Sequence, residues 1–380
     1  MKKITFLFSI LYCLHTTAQN ENYLLIGTYT SGKSEGIYVY KFNSTTGANN
    51  LLSTIKTSNP SFLAVSPNKK NVYAANEDAD STIHPIGGTI SSFSFNNGKL
   101  TEINKLPSGG KHPCYVTVDK TGKWLFAGNY SSGTVGLLPI KKGGALDTIK
   151  QIIQHNGSGP NEARQQSAHV HGTFLSADNG LLYVPDLGID KLMMYTFDNN
   201  KGKLQTANPA FVSINPGSGP RHLDISSNGK FIYLVLELTG EVTVLKNSGH
   251  NNFQSIQSIS LVSPYYKGII GGADIHLSPD GRFLYASNRG NDNSIAIFAV
   301  NTVDGKLTWI GSHSTLGATP RNFNFDPSGN FLLVANQNSD DITIFRRNKK
   351  TGLLADTGKK INVPNPVCIK WIPMIIANTK

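Results

Sequence analysis

The sequence predicts an all-β fold, a seven-bladed β-propeller with four antiparallel strands in each blade. Three observations predict it. The chain has 380 residues, whereas one compact hydrophobic core rarely serves more than about 300, so a second domain or a repeat architecture is expected. A segment of 18 residues recurs six times, with starts 48 to 57 residues apart. The two ends of the chain carry complementary parts of one further repeat.

Each recurring segment predicts a β-hairpin. In "PRHLDISSNGKFIYLVLE", which starts at residue 220, two short β-type runs flank a turn at Gly229, as is typical of paired strands. The other segments start at residues 60, 113, 170, 272 and 320. With the first residue as offset 0, offset 9 holds Gly122, Asn179, Gly229, Gly281 and Gly329, with Lys69 as the exception, and offset 13 holds Tyr73, Phe126, Tyr183, Tyr233, Tyr285 and Leu333.

Two further strands follow each hairpin. The third strand is represented by "EVTVLKN" and "NSIAIFAV", and the fourth comes after a turn such as "NTVDGKL". Four antiparallel strands in about 50 residues are typical of a propeller blade.

The chain ends predict the seventh blade. "YLLIGTYTSG" at 23–32 aligns with the second strands of the repeats, and "GIYVYKF" and a strand near 51–57 follow it, but a first strand is missing. "NPVCIKWIP" at 365–373 has the opening of a first strand and then stops. We therefore expect the C-terminal strand to complete the N-terminal blade and close the ring, which removes exposed sheet edges. One propeller domain should cover residues 19–380.

Residues 1–18 predict a signal peptide. Two lysines precede an apolar run from Ile4 to Leu14, and small residues lead to a cleavage position after Ala18. This is the pattern of a secretory signal, and it is too short to span a bilayer. We expect export to the periplasm or the exterior and no membrane contact after cleavage, with a cytoplasmic location as the alternative. Cleavage leaves Cys114 and Cys368, too few for a disulfide framework.

The net charge is +11, from 35 Lys and Arg against 24 Asp and Glu. The basic residues are scattered through turns such as "RRNKK", without an arginine-rich stripe interleaved with aromatic residues. We therefore predict no nucleic-acid partner. A basic surface of this kind favours anionic small molecules.

Offsets 1 and 17 should meet at one mouth of the central channel, because the first two strands of a blade are antiparallel neighbours. Together with their equivalents in the closing blade, offset 1 holds Ser61, Cys114, His171, Arg221, Ala273, Arg321 and Val367, and offset 17 holds Glu77, Tyr130, Leu187, Glu237, Arg289, Gln337 and Tyr29. One arc, from His171 through Arg221 and Glu237 to Arg289, is charged or titratable, and His169 and His222 flank it.

This arc suits the binding of an oxygen-rich anion and the transfer of a proton. Arginine forks bind carboxylate, phosphate or a developing oxyanion, and a histidine or glutamate between them can accept a proton from water. The predicted catalytic residues are His171, Arg221, Glu237 and Arg289, and the predicted substrate-binding residues are Glu77, Tyr130, His169, His222 and Arg321. A simpler interpretation is that Arg221 and Glu237 form a structural salt bridge. "HVH" at 169–171 lacks a third ligand at suitable spacing, so we expect neither a metal nor another cofactor.

Several segments resemble the seven-bladed lactonases, the family that includes the propeller-type 6-phosphogluconolactonase and the fungal carboxymuconate lactonizing enzyme. They are "LLIGTYTSGKSEGIYVYKF", "HPCYVTVDKTGKWLFAGNYSSGTVGLLPI", "SAHVHG", "GPRHLDISSNGKFIYLVLELTGEV", "LSPDGRFLYASNRGNDNSIAIFAV" and "GATPRNFNFDPSGNFLLVANQNSDDITIF". The resemblance implies a histidine, two arginines and a glutamate at the channel mouth. By motif these match His171, with His169 less favoured, and Arg221, Arg289 and Glu237.

The resemblance also implies a reaction, the hydrolysis of a sugar lactone, in the best-known case 6-phospho-D-glucono-1,5-lactone. Water would attack the ring carbonyl, with Glu237 or His171 as general base and Arg221 or Arg289 stabilising the oxyanion. Export makes an unphosphorylated aldonolactone an alternative substrate. The alternative functions are a carboxymuconate-type lactonizing cycloisomerase and a non-catalytic propeller that serves as an interaction platform. We expect a small-molecule lactone as partner and a monomer or weak homodimer.

Overall fold

Seven sheets, each of four antiparallel strands, make up the fold. The computed structural model describes residues 20–79 and 87–374, so the predicted signal peptide lies outside the described residues. The only helical element in these two ranges is a 3₁₀ turn at Gln337–Ser339. None of the described residues belongs to a helix long and apolar enough to cross a membrane. The predicted all-β, seven-bladed architecture is confirmed.

The strands are numbered in chain order. Those of the first four blades are β28 (Pro366–Pro373), β1 (Glu21–Thr28), β2 (Gly36–Asn43) and β3 (Asn49–Lys56); β4 (Pro60–Val65), β5 (Asn71–Asn76), β6 (Thr89–Asn96) and β7 (Lys99–Pro107); β8 (Pro113–Val118), β9 (Trp124–Asn129), β10 (Thr134–Pro139) and β11 (Gln151–Gln154); and β12 (Phe174–Leu175), β13 (Leu181–Asp186), β14 (Lys191–Asp198) and β15 (Lys203–Ser213). Those of the last three are β16 (Pro220–Ile225), β17 (Phe231–Leu236), β18 (Glu241–Asn247) and β19 (Phe253–Ser260); β20 (Gly272–Leu277), β21 (Phe283–Asn288), β22 (Ser294–Val300) and β23 (Leu307–Ser314); and β24 (Pro320–Phe325), β25 (Phe331–Asn336), β26 (Asp341–Arg347) and β27 (Leu354–Asn362).

The turns between the first two strands explain the residue types at offset 9. In the fifth blade the Gly229 N–H donates to the Ser226 carbonyl over 2.8 Å, and Gly229 has φ 68°. The equivalent residues of the other five repeats have φ between 62° and 70°. Glycine and asparagine adopt this left-handed conformation most readily. Lys69, the exception in sequence, has the same conformation with φ 62°.

The buried aromatic residues at offset 13 link neighbouring blades. The Tyr233 hydroxyl donates to the Gly305 carbonyl over 3.1 Å, and Gly305 lies in the outer hairpin of the next blade. A Cβ atom at Gly305 would lie 2.3 Å from the Phe231 ring, so this turn needs glycine. Tyr285 donates to the Gly352 carbonyl in the same way. Since the apolar clusters also extend from one sheet to the next, the core lies between the blades.

The ring closes as predicted. β28, the last strand of the chain, pairs antiparallel with β1, and Leu24 lies opposite Trp371 and Ile26 opposite Ile369. In the resulting sheet β28 is the inner strand. Both Ile26 and Ile369 are fully buried. The first and last parts of the described chain therefore form one blade.

A β-bulge near the channel mouth changes the direction of side chains on the inner strands. Pro220 pairs with Leu236, but Leu223 pairs with Leu234, so Arg221 and His222 together oppose one residue of β17. A similar register shift occurs in β4, β8, β20 and β24. Bulges re-aim side chains and are common beside active sites.

The fourth blade differs from the prediction of a complete first strand. Its inner strand is reduced to Phe174–Leu175, and an isolated bridge joins Val170 to Asp186. Gly172 lies between these two paired parts, and glycine weakens a strand because it has no side chain to pack. His171 is still held at the mouth, because its N–H donates to the Pro185 carbonyl over 3.0 Å.

Candidate active site

A cavity of about 520 Å³ lies at the channel mouth to which offsets 1 and 17 contribute. Its wall contains six of the nine predicted site residues: Glu77, Tyr130, His171, Glu237, Arg289 and Arg321. Tyr29, Cys114, Arg164 and the backbone and side chains of a loop at 269–271 complete much of the remaining surface. The shared register of the blades therefore brings residues from all seven blades to one cavity.

Glu237 is the centre of the charged arc. Arg221 Nε and Arg289 Nη2 lie 3.0 Å and 2.9 Å from its Oε2 atom. Arg164 Nη2 lies 2.6 Å from Oε1. The carboxylate therefore accepts charge-assisted hydrogen bonds on both oxygens, which are the stronger class of hydrogen bond.

The arginines decide the ionisation of Glu237. Burial would raise the pKa of this carboxyl group, since only 6% of the residue is exposed. The positive charges of Arg289 and Arg221, together with that of Arg164, outweigh burial and hold its pKa well below the ordinary value. Glu237 is therefore ionised at neutral pH and is a weak base.

His171 lies beside this carboxylate. Its Nε2 atom is 3.8 Å from Glu237 Oε2, and its Nδ1 atom is 3.8 Å from Cys114 Sγ. Burial, and then repulsion from Arg221 and His222, lower the pKa of His171 well below the ordinary value. The imidazole is therefore neutral at pH 7 and can accept a proton.

Arg221 is a buried partner of Glu237 rather than part of the cavity wall. Only 2% of it is exposed, and its Nη1 atom donates to the Ala273 carbonyl of the next blade. Burial, with the charges of Arg289 and Arg321, lowers the pKa of Arg221 to about 10, so it remains protonated at neutral pH. The predicted Arg221–Glu237 salt bridge exists, but one structural pair does not explain two further arginines on the same carboxylate.

His222 lies behind the cavity with Asp274. His222 Nδ1 is 2.8 Å from Asp274 Oδ1, and His276 Nε2 is 3.0 Å from Asp274 Oδ2. Burial would raise the pKa of Asp274, but His276 and the hydrogen bond from His222 hold it well below the ordinary value. The carboxylate can only accept, so Nδ1 of His222 carries the proton and donates it. Burial, and then Arg221, lower the pKa of His222 to about 3.

His169 supports the wall from outside. Its ring stacks on the Tyr130 ring with centroids 4.4 Å apart, and its backbone N–H donates to Asp186 Oδ1 over 2.7 Å. Of the predicted site residues, then, Arg221, His169 and His222 do not line the cavity and instead contact residues that do, or residues of the next blade.

The opposite wall holds a second carboxylate and arginine. The Tyr29 hydroxyl donates to Glu77 Oε2 over 2.8 Å, and Arg321 Nη2 is 4.0 Å from Glu77 Oε1. The Arg321 guanidinium also lies over the Tyr29 ring, 5.2 Å from its centroid. Burial raises the pKa of Tyr29, so this hydroxyl remains a donor.

Arg164 is the charged residue that the repeat pattern missed. It belongs to the connection between β11 and β12, outside the six aligned segments. The available signal was the spacing of 57 residues between the segments at 113 and 170, the largest in the chain. A long connection between blades at this mouth supplies side chains that the blades themselves do not.

Fold and site together define a β-propeller enzyme with an arginine-rich, carboxylate-containing site at one mouth of its channel. The family model described as "Lactonase, 7-bladed beta-propeller" matches residues 23–371. The chain belongs to this lactonase family, as its resemblance implied, and is therefore a carboxylic ester hydrolase.

Named relatives agree with this assignment. The 6-phosphogluconolactonase of Formosa agariphila is 39% identical over 341 residues, which cover 87% of this chain and 94% of the relative. That of Bacillus subtilis is 35% identical over 355 residues, covering 92% and 98%. Among solved structures, the periplasmic gluconolactonase of Pseudomonas aeruginosa superposes with a TM-score of 0.88 at 37% identity and covers 93% of this chain and 99% of that one.

Proposed function

We propose that this protein hydrolyses an aldono-1,5-lactone that carries an anionic group, as a 6-phosphogluconolactonase does. The observation that carries the proposal is the convergence of three arginines on buried Glu237, beside a neutral histidine, at a cavity of about 520 Å³. The named relatives support the same reaction class.

The charge of the site supports an anionic substrate. Four arginines, at 164, 221, 289 and 321, lie in or directly behind the wall, and the carboxylates of Glu77 and Glu237 face them. These four arginines and the two carboxylates that they contact leave a balance of +2. A phosphate monoester carries about two negative charges at neutral pH, so a phosphorylated lactone would neutralise the site.

His171 is the proposed general base. It takes a proton from the water whose oxygen bonds to the lactone carbonyl carbon, and the tetrahedral intermediate then expels the ring oxygen, which receives that proton from the imidazolium. Glu237 is a weaker candidate because hydrogen bonds from Arg164 and Arg221 already occupy both of its carboxylate oxygens. Its charge, 3.8 Å from His171, stabilises the imidazolium between the two proton transfers.

Arg289 is the proposed oxyanion partner. Its side chain is 19% exposed, whereas that of Arg221 is 2% exposed, so Arg289 can reach a bound carbonyl oxygen. A fixed positive charge at the position where negative charge develops lowers the barrier to acyl transfer. Arg221 then holds Glu237 from behind.

The test is a substrate panel with purified protein: 6-phosphoglucono-1,5-lactone, glucono-1,5-lactone and muconates. Acid release is followed in a pH-stat with the spontaneous rate subtracted, and muconate conversion by ultraviolet absorbance. We expect lactone hydrolysis that Glu237→Gln and Arg221→Ala each reduce strongly. Arg282→Gln, an exposed position beside the turn at the opposite rim, is the matched control. Conversion of muconates alone would support the cycloisomerase, and inactivity on every compound would support the interaction platform.

We also propose that the protein is exported. The signal pattern of residues 1–18 supports this, and the Pseudomonas aeruginosa relative is named as periplasmic. N-terminal sequencing of the protein from fractionated cells should give Gln19 as the first residue in the exported fraction. Met1 on protein confined to the cytoplasm would contradict export and leave the reaction unaffected.

A further inference from the structure

We propose that Arg164 is an anion-operated gate on Glu237. Without substrate its guanidinium covers Glu237 Oε1, and a dianionic group in the cavity draws it away and thereby makes the site more active. This inference rests on the proposed function, since it assigns a role to the substrate's anionic group beyond affinity.

Arg164 is the one member of the arginine cluster around Glu237 that reaches it from solvent. Its side chain is 43% exposed, against 2% for Arg221 and 19% for Arg289. Within the described residues, both of its side-chain hydrogen bonds use Nη2, to Glu237 Oε1 over 2.6 Å and to the Tyr130 hydroxyl over 3.2 Å. A single tip atom therefore holds the closed arrangement.

The backbone that carries Arg164 is fixed. The neighbouring Gln165 is fully buried; its Nε2 donates to the Leu187 carbonyl over 2.8 Å and its Oε1 accepts from Asn161 N–H over 3.1 Å. The Arg164 N–H donates to Asn161, to the backbone carbonyl over 3.1 Å and the side-chain oxygen over 3.2 Å. The gate therefore opens by rotation of one half-exposed side chain, without rearrangement of the loop.

A dianion makes this rotation favourable. A ligand shifts an equilibrium only by its difference in affinity for the two states. A phosphate group gains a charge-assisted, bidentate partner when Arg164 leaves Glu237, whereas a neutral sugar lactone offers no charge to replace the lost pair. Neutral lactones therefore bind while Arg164 still covers Glu237 Oε1.

Opening changes the base. When Arg164 departs, Glu237 keeps Arg221 and Arg289 but loses one compensating positive charge. Its carboxylate then stabilises a positive charge on His171 more strongly, and the imidazole becomes a better proton acceptor. The substrate class that this site favours is thus an aldonolactone with a dianionic substituent, and a separate small dianion should activate hydrolysis of the neutral lactone.

The experiment measures hydrolysis of glucono-1,5-lactone at increasing concentrations of inorganic phosphate. Sodium chloride keeps the ionic strength constant, and an enzyme-free rate is subtracted at every phosphate concentration because phosphate itself catalyses lactone hydrolysis. We expect a saturable, several-fold rise in kcat/KM for the parent protein and for Arg282→Gln. In Arg164→Gln the response to phosphate should be lost, while an unchanged melting temperature shows that the fold is intact.

A second variant tests the closed arrangement. Tyr130→Phe removes the hydroxyl that holds Arg164 beside Glu237, so half-maximal activation should need less phosphate than in the parent. Activation that survives in Arg164→Gln would overturn the proposal. A second result would also overturn it: the parent protein hydrolyses 6-phosphoglucono-1,5-lactone, but phosphate leaves its hydrolysis of glucono-1,5-lactone unchanged or only inhibits it. That result would leave the proposed function standing. Failure to hydrolyse either lactone would instead refute the proposed function.

Discussion

Acid should destabilise this protein through His222 as the pH falls below about 6.5. His222 is 4% exposed, donates to Asp274 over 2.8 Å and lies with its Nδ1 atom 3.4 Å from Arg221 Nη1. The rings of Phe62, Tyr115, His171 and Phe174 surround the rest of the imidazole. A second proton on His222 would place a charge in this buried site, next to an arginine.

The size of the effect follows from the two pKa values. The pKa of His222 is about 3 in the folded protein and about 6.5 in an unfolded chain. The unfolded state therefore binds more protons below pH 6.5, and stability falls as the pH falls from 6.5 towards 3. At about pH 5.0 the difference is about 1.5 units, at about 1.36 kcal/mol each, or about 2 kcal/mol of unfolding free energy.

Urea unfolding at about pH 7.5 and about pH 5.0 measures this loss. The variant His222→Gln retains an N–H donor for Asp274 but cannot be protonated, so it should lose about 2 kcal/mol less than the parent between the two pH values. His171, with a lowered pKa, and His276, whose pKa Asp274 raises against the effect of burial, are present in both proteins. His250→Asn, at an exposed position, should behave like the parent. Equal losses in the parent and His222→Gln would refute the reasoning.

Two further predictions concern the base and the closing strand. His171→Gln should lower kcat/KM by at least about 10²-fold with an unchanged urea midpoint. Because burial lowers the pKa of His171, the acid limb of the parent's pH–rate profile should lie below about pH 6.5. An acid limb at or above that pH would exclude His171 as the base. Ile369→Ala, at a fully buried position of β28, should lower the unfolding free energy by about 2–5 kcal/mol. The control Ile152→Ala, at a position of β11 that is 52% exposed, should lower it by less than about 1 kcal/mol. Similar losses in the two variants would show that β28 is not part of the core.

The fold could be predicted because each blade repeats the same local requirements. A left-handed turn residue at offset 9 and a buried aromatic residue at offset 13 recur through the repeats, and both arise from contacts that every blade makes. The closing blade followed from a missing strand at one end and a spare strand at the other. The shortened inner strand of the fourth blade did not follow, because Gly172 weakens the ladder there while the segment still matches the repeat.

The part of the site that the repeated strands contribute could be predicted. Register alone placed Arg221, Glu237 and Arg289 at one mouth, since antiparallel pairing fixes which offsets meet. Register could not distinguish residues that line the cavity from residues that lie behind it. The bulge in β16 brings Arg221 and His222 together, yet both lie behind the cavity. The repeat pattern could not predict Arg164. The conformation of a long connection depends on contacts such as those of Gln165, and no periodicity in the sequence encodes these contacts.

The pairing of β28 with β1 has a consequence for biosynthesis. Leu24 and Trp371, which lie opposite each other in that sheet, are 347 positions apart in the chain. A ribosome therefore synthesises most of the propeller before β1 can pair with β28, its inner neighbour, and pairing between such distant segments is slow. The inner edge of that blade therefore stays unpaired until β28 has been synthesised, and the ring closes late in synthesis.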